Sequence, residues 1–128
     1  MLVKQRSLNL INRAAKFLWS ADVPNLLRAA DCLVAPTRYE AYGLGVHEAL
    51  CCGLPGIVSA DAGVAERYSP ELQDLLLPNP DNANDLVIRL QKWQQDKQYY
   101  NNLVFSLSQE LRNYTWDDMA KSIWQIIS

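Results

Sequence analysis

The chain has 128 residues, 49% of them apolar and 20% charged, which bounds it to one ordinary globular domain and excludes a disordered tail or a collagen-like chain. Twelve basic residues against fourteen acidic ones leave a net charge of −2, so no basic field draws the domain onto nucleic acid. Three cysteines, two of them adjacent at Cys51–Cys52, and a single histidine make neither a disulfide framework nor a zinc site; they read as reduced thiols in a reducing compartment.

Residues 2–13 read as a helix with Leu2, Leu8 and Ile11 available for a buried face. Lys4, Arg6, Arg13 and Lys16 all precede the first acid, Asp22, an asymmetry shared with transit peptides and membrane-surface helices. Asn9, Asn12 and Lys16 interrupt the apolar face, and no small-residue cleavage pattern follows, so a plain folded helix is expected. Lys16–Trp19 is short, apolar and strand-like. Ala21–Ala30 reads as a helix with Asp22 as N-cap, Pro24 near its first position, and Leu26, Leu27 and Ala30 facing in. Cys32–Ala35, closed by Pro36, fits a strand buried on both faces. A loop from Pro36 to Gly43 leads into a helix from about Leu44 to Cys52 that stops at Gly53. Gly56–Ala60 is the next buried strand. Short strands alternating with helices predict three or four parallel strands with right-handed crossovers. Apolar runs such as Cys32–Ala35 and Leu75–Leu77 fall far below the roughly 18–20 residues of a membrane span.

The last third reads as helical. Asp81 precedes a helix with Leu86, Leu90 and Trp93 on one face. A second, from about Lys97 to Asn113, carries Tyr99, Leu103, Leu107 and Leu111. A third opens on a capping box, Thr115 and Asp118, and bears the stripe Trp116, Met119, Ala120, Ile123 and Ile127. Three of the four tryptophans lie in this region at helical spacing, which favours a core role over ligand stacking. The expected architecture is therefore α/β: a truncated Rossmann-like parallel sheet over residues 15–80, with a C-terminal helical cluster over 81–128, as one domain.

The chemistry concentrates between Pro36 and Gly63. A buried strand ends at Pro36, and Gly43 and Gly45 bracket the start of the next helix. Such a helix N-terminus offers unpaired N–H groups and the positive end of its dipole to an anion at the carboxyl edge of the sheet, where ligands of open α/β sheets collect. Glycine lets a diphosphate approach the backbone closely. Glu40 and Glu48 flank this turn. Carboxylates repel phosphate, and their useful partners are hydroxyls. Glu48 suits a ribose diol and Glu40 the hydroxyls of a second sugar, giving a base–ribose–diphosphate–sugar ligand.

The run Pro36-Thr37-Arg38-Tyr39-Glu40-Ala41-Tyr42-Gly43-Leu44, followed by Glu48-Ala49-Leu50, resembles the donor-site signature of retaining GT-B glycosyltransferases of the group 1, or family-four, type. That signature is P-S-x-x-E-G-F-G-L-x-x-x-E-A. Gly53-Leu54-Pro55 matches its G-x-P, Ala62-Gly63-Val64-Ala65-Glu66 its later G-G-x-x-E turn, and Ala29-Ala30-Asp31 an upstream A-A-D; Trp116 and Asp117 fit a tail motif. The likeness spans about residues 15–128. Ala41, Tyr42 and Gly56 depart from the pattern, which prefers Gly, Phe and Val there; Gly56 is expected to weaken a buried strand.

The resemblance implies a donor-binding domain, the C-terminal domain of a GT-B enzyme. It makes Glu40 the catalytic contact to the donor sugar and Glu48 the ribose ligand. Tyr42 and the backbone of Gly43, Leu44 and Gly45 would hold the diphosphate and sugar, with Trp19, Ser20 and Asp22 near the base. Such enzymes use a nucleotide-diphosphate sugar and no metal or other cofactor, because helix dipole and basic side chains neutralise the leaving diphosphate. It also implies that the acceptor domain and the family's Lys/Arg pair are missing. The chain alone is then expected to be inactive, working with a separate acceptor-domain chain or as a homodimer through an open sheet edge beside Lys16–Trp19. A non-catalytic nucleotide-sugar-binding module and an inert gene fragment are the alternatives. The expected location is cytoplasmic, with a peripheral position on the inner face of a membrane as the variant. His47, Cys51 and Cys52 read as packing residues, and Arg38 and Arg67 as solvated charges beside the site.

Overall fold

The computed structural model describes residues 2–3 and 22–128. Its sheet contains β1 (Leu2–Val3), β2 (Cys32–Ala35), β3 (Gly56–Ser59) and β4 (Leu76–Leu77), side by side in that order. β2, β3 and β4 are parallel, in the registers Val34↔Ile57 and Val58↔Leu76. β1 runs antiparallel to β2, Leu2 opposite Leu33, so residues 2–3 are strand where the sequence suggested helix. The rest of that expected helix, the Lys16–Trp19 strand and the open edge assigned to it lie outside the described residues. The α/β, Rossmann-like expectation is met by the three parallel strands and their covering helices.

Helix α1 (Val23–Ala29) has Pro24 in its first turn and Asp22 at the N-cap, but the Asp22 side chain makes no capping bond. Leu27 is buried whereas Leu26 is 40% exposed, a correction to the expected inward pair. Neighbours in a helix lie about 100° apart, and a helix this short buries one stripe. Helix α2 (Leu44–Cys51) ends at Gly53, whose N–H donates to Leu50 O at 2.9 Å while that of Leu54 donates to Ala49 O at 2.9 Å. These are the paired bonds of a Schellman ending. β3 is buried along its whole length. Two short 3-10 helices, Gly63–Arg67 and Pro70–Leu75, then lead into β4. They bury Val64, Leu72 and Leu75 completely, and at five or six residues they are too short to announce a period.

Helix α3 (Ala83–Gln95) is capped by Asn82, which accepts from the Asp85 N–H at 3.1 Å; Asp81 is one residue too early for this. Helix α4 (Lys97–Asn113) buries Tyr100, Val104 and Leu107, while Tyr99, expected inside, is 43% exposed. Helix α5 (Trp116–Ile127) has the expected capping box, with Thr115 Oγ1 accepting from Asp118 N and Asp118 Oδ2 accepting from Thr115 N. None of its residues is buried. Trp116 is 83% and Trp124 68% exposed, so of the three tryptophans expected in the core only Trp93 is there. Periodicity identifies an apolar face without saying what covers it. Among the described residues no helix is long and apolar enough to cross a membrane.

The main core lies between the sheet, α2, the 3-10 helices and the inner faces of α3 and α4, centred on Val34, Leu50, Ile57, Leu72 and Val104. Leu27, Ala49 and Leu54 form a second, smaller cluster between α1 and α2. Between them α2 is gripped on two sides, which fixes its N-terminus at the carboxyl edge of the sheet.

Candidate functional site

β2 delivers the chain to the carboxyl edge at Ala35, and the loop 36–43 is held there from several directions. Ser59, the buried last residue of β3, donates its hydroxyl to Thr37 O at 2.6 Å. Arg38 Nε donates to Asp81 Oδ1 at 2.8 Å, tying the loop to the approach of α3. The N–H groups of Gly63 and Val64 donate to the carbonyls of Ala41 and Tyr42 at 3.2 and 2.7 Å. The loop after β2 and the turn after β3 therefore form one hydrogen-bonded ledge. A Cβ at Gly63 would stand 2.6 Å from Ala41 O, so only glycine permits this approach.

Gly43 turns the ledge into α2. Its φ of 98° is left-handed, a conformation glycine adopts freely. A Cβ there would meet Val64 Cγ1 at 3.1 Å and Glu40 Cγ at 3.5 Å, so the stem of Glu40 lies against the helix start. No side chain caps α2, whose first bond runs from His47 N–H to Gly43 O at 3.0 Å. The N–H groups of Leu44, Gly45 and Val46 precede the helical ladder and point out of its end. Nothing lies within 4 Å of where Gly45 would carry a Cβ, so the first turn is open to a ligand. Leu44, 71% exposed, and Glu48 are four residues apart and share one helix face.

The structure thus gathers Glu40, Gly43, Leu44, Gly45 and Glu48 around one open helix N-terminus. An uncapped N-terminus favours an anion, and exposed carboxylates such as Glu40 and Glu48 accept from hydroxyls. Tyr42 stands on the ledge itself and is half-buried. Its hydroxyl hydrogen-bonds His47 Nδ1 at 2.9 Å, with the rings 5.7 Å apart, so the pair braces the ledge against α2. Asp22 is exposed at the start of α1; Trp19 and Ser20 lie outside the described residues.

Sequence reasoning missed three features. The Tyr42–His47 pair has a five-residue separation that no periodic pattern marks. Arg38, expected as a solvated charge, is paired with Asp81 although 70% of its side chain is exposed. The Thr37 hydroxyl is buried beside the ledge without a hydrogen-bond partner, an unsatisfied polar group inside the loop. Among the described residues no group of three or more His, Cys, Asp or Glu could hold a metal ion.

Residues 2–106 match the sequence family described as glycosyl transferases, group 1. The chain is 27% identical over 125 residues to the mannosylfructose-phosphate synthase of Agrobacterium fabrum, covering 95% of this chain and 27% of that protein. It is 36% identical over 87 residues to sucrose synthase 2 of Oryza sativa subsp. japonica, covering 65% of this chain and 11% of the relative. With an uncharacterized glycosyltransferase of Methanocaldococcus jannaschii it shares 31% identity over 108 residues, 82% of this chain and 27% of the other. The chain therefore spans about a quarter or less of the length of these relatives.

Proposed function

The chain belongs to the group 1 glycosyl transferases, and from that premise we propose that the open N-terminus of α2 is the donor site for a nucleotide-diphosphate sugar whose glycosyl group is transferred with retention of configuration. The observation that carries the reading is the uncapped first turn of α2, with the stem of Glu40 against its start and the exposed Glu48 one turn on. The diphosphate meets the N–H groups of Leu44 and Gly45, Glu48 accepts from the ribose hydroxyls, and Glu40 accepts from hydroxyls of the transferred sugar. Tyr42 acts through the ledge it braces, and Asp22 is assigned to the base. In the transfer the bond from the anomeric carbon to the diphosphate oxygen breaks and its electron pair leaves with the nucleoside diphosphate. An acceptor hydroxyl bonds to the same face of that carbon, and its proton passes to the departing phosphate oxygen. The dipole of α2 favours the charge that grows on the leaving group, so no metal is needed for that task.

The acceptor is taken by a part of the enzyme beyond this chain, and the chain alone binds donor without turning it over. Three free thiols support a reducing, cytoplasmic setting. Calorimetric titration with UDP, GDP and ADP and their sugars tests the reading. One nucleotide binds saturably, and Glu48→Ala weakens it about tenfold or more, as expected for lost hydrogen bonds to a charged group worth about 1.5–3 kcal/mol. Failure of every nucleotide to bind at millimolar concentration, or equal binding by the variant, overturns it.

A further inference from the structure

Helix α5 gathers its large apolar side chains on one side. At about 100° per residue, Trp116, Met119, Ile123, Trp124, Ile126 and Ile127 fall within roughly 160° of one another, with Ala120 near the middle of the arc. Asp117, Asp118, Lys121 and Gln125 occupy the other side. The six apolar side chains are 40–83% exposed, so the domain does not cover them. The side-chain hydrogen bonds that reach α5 from the preceding turn arrive on its polar side, where Asp118 meets Thr115 and Ser122 lies 3.5 Å from the Tyr114 hydroxyl. Scaled by exposure, at about 200 Å² for a tryptophan and about 100 Å² for an aliphatic side chain, the face bares on the order of 550 Å². A monomer rarely leaves a contiguous apolar patch of that size without a use for it.

Two features of the helix select its occupant. A helix that lies on a lipid surface carries lysine and arginine along its polar side, whereas α5 carries two acids and one lysine there. The apolar face also complements itself. Laid antiparallel on a second α5 about a two-fold axis, Ala120 stands opposite Ile123, a small side chain against a branched one at the centre, where the backbones must approach. Met119 then stands opposite Trp124, a thioether against an indole, and Trp116 opposite Ile127 closes each end. The macrodipoles of the two helices run in opposite senses, which is the favourable arrangement. Two such faces together remove on the order of 1,000 Å² from water, the area at which a specific interface begins. We propose that α5 is a dimerisation helix, whose apolar side pairs antiparallel with the same side of a second copy of this chain in a closed two-fold contact. The proposal stands independently of the donor reading, which concerns α2.

Analytical ultracentrifugation of the full chain from micromolar to millimolar concentration, with tryptophan emission followed alongside, tests this. A monomer–dimer equilibrium is expected, and emission moves to the blue as the dimer fills because Trp116 and Trp124 leave water. Ile123→Asp and Ile127→Asp each weaken association at least tenfold, as a charge set into an apolar contact does, while Gln125→Ala on the polar side leaves it unchanged. Both isoleucines are exposed in the single chain, so neither variant removes core packing, and Ile127→Asp, in the last turn, serves even where Ile123→Asp fails to fold. Glu48→Ala dimerises like the parent, which separates this result from the fate of the donor reading. A chain still monomeric at millimolar concentration, a dimer that both aspartate variants leave intact or that Gln125→Ala weakens equally, assembly that grows past the dimer, or emission that shifts only with phosphatidylcholine vesicles overturns the proposal.

Discussion

Gly63→Ala tests whether the loop after β2 and the turn after β3 are one mechanical unit. A Cβ at Gly63 would stand 2.6 Å from Ala41 O and 3.2 Å from Tyr42 Cα, whereas ordinary contact begins near 3.4 Å. The obstacle is backbone, so the two segments must separate by about 0.8 Å, the difference between 3.4 and 2.6. That movement stretches the bonds from Gly63 N–H to Ala41 O and from Val64 N–H to Tyr42 O, each worth about 0.5–1.5 kcal/mol. Forced repacking costs about 1–3 kcal/mol by itself, and the two costs overlap because the stretched bonds are the repacking. The expected loss is therefore about 1–3 kcal/mol, read in urea as a lower midpoint with an unchanged slope. Gly45→Ala provides the contrast. It meets nothing within 4 Å and replaces glycine within a helix, so it stabilises by up to about 1 kcal/mol. Its new methyl group nevertheless stands over the first turn and weakens nucleotide binding. A Gly63→Ala protein within about 0.5 kcal/mol of the parent, inside the usual range for a surface change, would refute the ledge.

Three further outcomes follow from particular contacts. Tyr68→Phe removes the buried bond from the tyrosine hydroxyl to Gly56 O, 2.8 Å long, and strands that carbonyl; denaturant unfolding registers a loss of about 1–3 kcal/mol, and no loss contradicts the role given to the bond. Asp74 Oδ2 lies 2.8 Å from Lys92 Nζ, and that hydrogen bond holds its carboxyl below the ordinary 3.8. Because the folded value is depressed, the stability it adds is present above the unfolded value and is lost as pH falls through the folded one; Lys92→Met flattens this part of an acid titration followed by circular dichroism, and an unaltered acid limb opposes the assignment. Cys32 is completely buried, and desolvation pushes its thiol from 9.0 up to about 12. Ellman's reagent at neutral pH therefore reacts with Cys51 and Cys52 in the native protein and with Cys32 only after denaturation, whereas three native thiols would contradict its burial.

What was legible in the sequence is what local chemistry writes there. Pro36 and Gly53 mark ends that the backbone itself imposes, and the bounds of β2 and of helices α2 and α4 follow closely. The Thr115–Asp118 capping box is likewise local, because both partners lie within one turn. The 3-10 helices were illegible because Val64, Leu72 and Leu75 reach the core through turns too short to repeat. The α5 stripe was legible as a face and misjudged as core, since a stripe says only that one side is apolar. At the site, the grouping of Glu40 and Glu48 about an open helix end was readable from their spacing around Gly43 and Gly45. The ledge that positions them was not, because it rests on contacts between segments some twenty residues apart.

Two of the departures from the family pattern make sense only in space. Tyr42, where phenylalanine is usual, carries a hydroxyl that is satisfied by His47, five residues on. A phenylalanine would leave His47 without that partner, and a different residue at 47 would leave the hydroxyl of a half-buried tyrosine without its bond. Gly56, where valine is usual, looked like a weak point in a buried strand. The missing side chain is matched by Tyr68, whose hydroxyl sits 3.0 Å from where a Cβ would stand and donates to the Gly56 carbonyl. Burial pushes the Tyr68 phenol far above its ordinary range, so it remains a neutral donor at any physiological pH. Each change, costly alone, is offset by a second residue that contacts it, and the two pairs brace opposite ends of the segment that carries α2 from one edge of the sheet to the other. The valine must therefore be restored at position 56 together with a smaller residue at 68: Gly56→Val alone drives two methyl groups toward a buried hydroxyl and destabilises, whereas the double change with Tyr68→Ala opens room for them. A double-mutant cycle reads this as coupling of about 0.5–3 kcal/mol, and strict additivity would break the argument that the two positions compensate one another.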